Sequence, residues 1–296
     1  MPAAAGPDLS GPALGGTARF GRLSRHALFA PALVLLAAFF VVPLGIMVWR
    51  AFSQPELGFA NFSWFLGDDV QLQVLLRTFT TALWVTVVCL VLGYPFAYAM
   101  TVAGPRTRAV LLLLVLVPFW TSLMVRTFAW VILLQDNGVV NDALGLVGIG
   151  PLKLLRTTTG VVIGMSQILL PFMVMPLYAV MRGIDHRLLH ASASLGARPV
   201  TGFVKVWLPL SLPGVAAGSL MVFISSLGFY VTPALLGSPS NSLISQQIYA
   251  QVSGLLQWGR GGAMGAVLLV LTLVLLAVTA AALRPINRRQ QVEVAR

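Results

Sequence analysis

Charge is what this sequence has least of. Only 9% of its 296 residues are Asp, Glu, Lys or Arg, against roughly a quarter in a soluble domain. With 58% of residues hydrophobic, that deficit excludes an ordinary soluble enzyme. Lysine is nearly missing: Lys153 follows Leu152 and Lys205 follows Val204. A phosphate-binding P-loop needs Gly-Lys followed by Ser or Thr, so the chain cannot hydrolyse ATP by that route. The one cysteine, Cys89, lies within an apolar run. It forms no disulfide within the chain and reads as a small core or lipid-facing residue.

Histidines and buried acids are equally scarce. The only histidines are His26, His186 and His190. His186 and His190 stand at i, i+4 with Asp185 beside them, but no third ligand cluster follows, and no metal site is assigned. Gly164-Met165-Ser166-Gln167 resembles the short Gly-x-Ser motif of six-span rhomboid-type proteases. That chemistry needs a histidine base near the serine, and neither this stretch nor the last apolar stretch contains one. A proton-driven carrier buries carboxylates in its spans. Every acid here lies outside the apolar runs, against a stand-alone secondary carrier, the alternative of another class. No catalytic or cofactor-binding residue is assigned.

What the sequence has in abundance is long apolar stretches. About twenty apolar residues cross a bilayer as a helix, and six stretches qualify: Ala27 to Val48, Phe79 to Val102, Val110 to Leu134, Gly160 to Met181, Leu210 to Val231 and Ala263 to Leu283. The first follows Arg19, Arg22 and Arg25, as a signal peptide would. It is long enough to span, and no small-residue cleavage site follows, so it is expected to be retained. Residues 1–26 read as a basic tail, with Met1 to Thr17 expected to be disordered. Residues 27–284 read as one six-helix membrane domain and 285–296 as a C-terminal tail. The fold class is all-α and integral to the membrane.

The formal net charge of +11 does not point to nucleic acid, because the basic residues sit in short connections. There they set topology. Thirteen lie in the N-tail, the second and fourth connections and the C-tail; five lie in the others; Arg126 falls inside the third stretch. The bias places both termini in the cytoplasm. Glu56, Asp68, Asp69, Asp136 and Asp142 occupy the opposite face.

The fourth connection, residues 183–208, has helical signals of its own. Asp185 suits an N-cap and Gly196 a C-terminal stop. Between them Leu188, Leu189, Ser192 and Leu195 share one face. Pro199 suits the first turn of a second short helix carrying Phe203, Val204 and Trp207. Such an apolar stripe either docks on a partner or lies on the membrane surface or on the chain's own bundle. Pro43, Pro95, Pro118, Pro171, Pro176, Pro209 and Pro213 punctuate the spans. Single prolines mean kinked packing, whereas seven together suit a bundle that moves around a cavity.

Leu188-Leu189-His190-Ala191-Ser192-Ala193-Ser194-Leu195-Gly196-Ala197, then Trp207-Leu208-Pro209-Leu210-Ser211-Leu212-Pro213-Gly214, resembles the EAA signature of type I ABC importer permeases. His190 stands where that signature has glutamate and Ser192 where it has its second alanine. Gly196, Pro209 and Pro213 match. Asn61-Phe62, Trp64-Phe65, Leu76 to Phe79, Gly93 to Tyr98, Val125 to Trp130, Asp136-Asn137-Gly138, Gly228, Val231-Thr232-Pro233 and Leu235-Leu236-Gly237 are similar to the spermidine/putrescine, PotB-like branch. Phe229 replaces the glutamate that often follows the glycine in that branch. The resemblance implies a six-helix MetI-like fold in the bacterial inner membrane. It also implies a second homologous permease, two cytoplasmic ATPase subunits, a periplasmic binding protein and a lipid surround. Polyamines or a related small amino compound are the implied cargo; ferric iron, phosphonates and opine-like compounds are those of related permeases.

In this family the connecting loop is the coupling helix seated on the ATPase. Leu188, Leu189, His190, Ala191, Leu195 and Gly196 are therefore the expected coupling residues, with Gly196 expected at positive φ. Trp120, Thr121, Ser122, Arg126, Phe229, Tyr230 and Thr232 are the expected path residues. Arg126 is costly at membrane depth. It either snorkels to the interface or pairs within the bundle beside the path, where aromatic rings would receive a cationic amine.

Overall fold

The computed structural model describes residues 22–294, with side chains from 29 to 281. Among them are helices and loops and no strand. The reading of residues 1–21 as a disordered tail, and Arg296 of the C-tail, lie outside the described residues. The chain divides into two units, Met1–Met47 and Val48–Arg296.

In the first unit, α1 (Arg22–Leu36) passes through a π turn at Ala37–Val41 into the start of α2 (Val42–Ser53). Residues 22–26 are thus helical, where a tail was expected. The wide turn ends just ahead of Pro43, which has no N–H to return to the preceding turn and whose ring crowds it. The span Phe29–Ser53 leaves Phe29, Leu33, Phe39 and Phe40 exposed, as hydrocarbon solvent requires.

The second unit holds the rest of α2, then α3 (Ala60–Gly67), α4 (Asp69–Val102), α5 (Pro105–Leu116), α6 (Leu123–Leu133), α7 (Val139–Leu146) and α8 (Thr158–Met181). The short α9 (Arg187–Ser194) and α10 (Pro199–Gly202) follow, then α11 (Leu208–Leu227), α12 (Val231–Leu236), α13 (Ile244–Tyr249) and α14 (Trp258–Val294). Caps fix two span starts. The Asp68 carboxylate accepts from the Val70 N–H at 2.9 Å, so α4 begins ten residues before the expected Phe79. The Thr157 hydroxyl accepts from the Gly160 N–H at 3.2 Å and opens α8. The expected fifth span and the short helix ahead of it are one rod, Pro199–Leu227, joined through a π turn at Phe203–Trp207. α14 begins at Trp258 rather than Ala263, and it runs on to Val294 through most of the expected C-tail.

The third expected span is not a straight crossing. α5 ends in a 3-10 turn at Val117–Trp120, Thr121 and Ser122 are extended, and α6 leaves at 100° to α5. Pro118 supplies the break. Among the described residues five helices are thus long and apolar enough to span, and six spans result when the bent pair counts as one.

α4, α8 and α11 pack on one another and hold most of the core, around Val85, Cys89, Met165, Leu169, Met173, Leu177 and Val222. Gly214 and Gly218, one turn apart on α11, permit the closest approach to α8. A Cβ on Gly214 would lie 3.0 Å from Val180 Cβ, and one on Gly218 would lie 2.9 Å from Met173 Sδ. Small residues at this spacing are how membrane helices gain contact without a hydrophobic drive between them. A second small core joins Phe65, Val74, Ile244 and Met264.

Candidate coupling segment and translocation site

The segment between α8 and α10 is built from local hydrogen bonds. The Asp185 carboxylate accepts from the Arg187 N–H at 2.9 Å, opening α9. The helix closes in a Schellman arrangement. The Gly196 N–H donates to Ala193 O at 2.9 Å and the Ala197 N–H to Ser192 O at 3.0 Å. That geometry needs a left-handed residue, and Gly196 has φ +83°, as expected of it. Nothing crowds the site of its missing Cβ, so backbone conformation alone calls for glycine.

The stripe on α9 divides, which corrects the expectation that Leu188, Leu189 and Leu195 present one outward face. Leu189 and Ser192 turn inward, beside the buried Gly202 of α10: a Cβ there would meet Ser192 Oγ at 2.8 Å and Leu189 Cδ2 at 3.7 Å. Leu188, His190, Ala191, Leu195 and Gly196 are exposed, Leu195 to 89%. The outward surface is therefore narrower than four residues of stripe. It is flanked by Arg187 and Arg198, both exposed.

The expected path residues fall in two groups. Trp120, Thr121 and Ser122 form the elbow between α5 and α6, with Trp120 80% exposed. Thr121 folds its hydroxyl back onto Pro118 O at 2.7 Å. They are not stacked below Arg126 on one rod, because the break intervenes. The second group is brought together by α6 and α12: Thr127 and Thr232, both fully buried, place their Oγ1 atoms 3.3 Å apart. Arg126, next to Thr127, is half-buried. Its Nε and Nη1 are enclosed and have no hydrogen-bond partner among the described residues. Phe229 and Tyr230 precede α12 and are half-buried. The Phe229 carbonyl accepts from Ser245 Oγ at 2.6 Å, and the Tyr230 ring lies 4.9 Å from that of Tyr249.

Sequence reasoning missed three polar groups in this region. Thr127 is one, hidden in the sequence beside its charged neighbour Arg126. Gln167 on α8 accepts from Trp130 Nε1 at 3.3 Å. The buried Ser166 hydroxyl has no partner among the described residues. The signal was available, since polar side chains within apolar spans are costly and seldom idle. In the sequence Ser166 and Gln167 stand out only as parts of the protease-like motif.

Residues 90–292 match the pattern of the family described as binding-protein-dependent transport system inner membrane component. This range contains the α9 segment, the α5–α6 elbow and the whole α4–α8–α11 core apart from the first part of α4. The chain belongs to this family. It is accordingly a permease subunit of an ATP-driven, binding-protein-dependent importer, an inner-membrane transport component rather than an enzyme.

Relatives of this permease agree. It is 36% identical over 228 residues to the spermidine/putrescine transport system permease protein PotB of Escherichia coli (strain K12), covering 76% of this chain and 83% of that one. The PotB protein of Haemophilus influenzae is 37% identical over 210 residues, 70% of this chain and 73% of that one. The inner membrane ABC transporter permease protein YdcU of Escherichia coli is 35% identical over 211 residues, 67% of each. Among solved structures, a chain of a bacterial alginate ABC transporter in complex with alginate pentasaccharide-bound periplasmic protein superposes with a TM-score of 0.70. It is 20% identical, over 88% of this chain and 94% of that one, a likeness of fold.

Proposed function

We propose that this permease imports a polyamine, spermidine or putrescine, as one half of a membrane pore. A second homologous permease supplies the other half. Two cytoplasmic ATPase subunits drive it and a periplasmic binding protein delivers the cargo. The observation that carries the substrate class is the extended identity to permeases named for spermidine and putrescine. Both termini lie in the cytoplasm on the strength of the basic-residue bias, which places α9 on the ATPase side. The narrow outward surface of Leu188, His190, Ala191 and Leu195, turned back by Gly196, is the part that seats on the ATPase. ATP hydrolysis belongs to that partner, since this chain has no P-loop.

The path runs by the α5–α6 elbow and the junction of α6 with α12. Tyr230, Phe229 and Trp120 offer aromatic faces, which attract an ammonium group. No carboxylate lies within the spans apart from Asp69 at the first residue of α4, so cation–π contact takes the place of ion pairing here. Labelled spermidine and putrescine uptake by the reconstituted complex, with ferric iron and a phosphonate as competitors, tests the assignment. Saturable, ATP-dependent polyamine uptake that neither competitor reduces is expected. Uptake of a competitor in place of polyamine would contradict it.

A further inference from the structure

We infer that Trp207 is a positioning residue that ties the α9 segment to α4 and α11, so that displacement of α9 reaches the spans instead of being absorbed in the loop. This deepens the coupling reading above and rests on it.

Trp207 closes the π turn between α10 and α11, and its side chain is wholly buried. Two rings from different segments meet its indole. His186, in the link ahead of α9, lies at 5.0 Å with the planes tilted by 36°. Tyr98 of α4 meets it edge-on, at 5.2 Å and 88°. Phe203, one turn earlier, extends the cluster to Tyr98 at 5.7 Å and to Tyr94 at 6.0 Å, both edge-on. The Tyr94 hydroxyl then lies 2.9 Å from Ser211 Oγ on α11. One side chain thus stands between the loop, α4 and α11.

The outward-facing part of the loop is poorly suited to transmit a push. α9 is mostly exposed, and Gly183 and Gly196 flank it. Its inward ties are Leu189 and Ser192 on Gly202 of α10, with Leu189 also packed on the core that contains Trp207. A close-packed ring cluster, by contrast, is stiff and passes displacement on. The indole Nε1 has no hydrogen-bond partner among the described residues, so shape and volume hold Trp207 in place. A π turn is itself a common mark of a functional position within a helix.

The test uses the complete complex of both permeases, the ATPases and the binding protein in proteoliposomes. It reads labelled spermidine uptake per ATP hydrolysed, and ATPase co-purification separately. Trp207→Ala is expected to keep its ATPase and ATP turnover while uptake per ATP falls about tenfold, the loss of a well-packed aromatic contact. Trp207→Phe, which keeps a ring, is expected to restore most of it. His186→Ala removes a ring from the half-exposed side, where folding is not at stake, and is expected to lower the ratio about threefold, with His186→Phe as its rescue. Wild-type uptake per ATP in Trp207→Ala, or in His186→Ala should the first variant fail to assemble, overturns the inference. Leu195→Asp is expected to lose the ATPase subunit itself. If it retains that subunit, the docking reading falls, and the tie with it.

Discussion

Single residues in this permease are asked for quite different things. Gly196 is needed for its backbone, since φ +83° is open to other residues only at a cost of about 1–2 kcal/mol. Gly196→Asp adds a charge at the outward surface as well. It is expected to abolish uptake and loosen ATPase binding while the protein still inserts into the membrane, read as ATPase co-purification from solubilised membranes. Normal uptake would refute the role. Arg126 and Tyr230 make a second contrast. For a cationic cargo, Tyr230→Ala should impair uptake more than Arg126→Gln; an anionic cargo would reverse the order. Because Tyr230 also stacks on Tyr249, Tyr230→Phe belongs beside it and should keep the stacking and most of the uptake. If neither Tyr230→Ala nor Arg126→Gln matters, both residues are packing. The positive φ of Gly196 and the capping by Asp185 were legible in the sequence, because caps and turns are written in local residue types. The partnership of Thr127 with Thr232 was not, because residues 105 positions apart meet only through the fold.

Elements were legible in proportion to how far hydropathy alone decides them. Five apolar stretches became helices within membrane reach, the first and the fifth by way of a π turn. The third did not, because Val110 to Leu134 is uniformly apolar and hydropathy is blind to a 100° bend at Pro118. The α9 stripe had the right period, yet period does not say which edge faces home. Leu189 turned inward and Leu195 outward. This yields a paired prediction. Leu195→Asp should leave the thermal stability of the detergent-solubilised protein unchanged and cost ATPase binding. Leu189→Asp should lower stability by about 1–3 kcal/mol, because it sets an unpaired charge at a half-buried position against Gly202 and the core. Helix contact gives another. Gly218→Ala forces a Cβ to within 3.0 Å of the Met173 carbonyl oxygen, an overpacking cost of about 1–3 kcal/mol. Gly145→Ala on α7 meets nothing within 4 Å and should be neutral or slightly stabilising. Equal melting temperatures for the two variants would show that α8 and α11 are not packed as described.

At the scale of the whole molecule, a three-helix core of α4, α8 and α11 carries an elbowed α5–α6 pair and a π-turned rod that leads into α9. These two irregular features coincide with the proposed path and the proposed coupling point. Irregular backbone at membrane depth survives where it lines a cavity or is covered by protein, which is the arrangement a transporter uses. Topology is testable directly: a reporter active only in the periplasm, fused after Arg296, should stay silent, and activity there would overturn the cytoplasmic placement of α9. The central claim is that this chain moves polyamine only as part of an ATPase-driven complex. The most direct measurement is labelled spermidine uptake into proteoliposomes holding both permeases, with the ATPase subunits and the binding protein added or withheld. The account predicts uptake when both are present with ATP, and none when either is withheld. Uptake by the permeases alone, driven by a proton or sodium gradient, would contradict it.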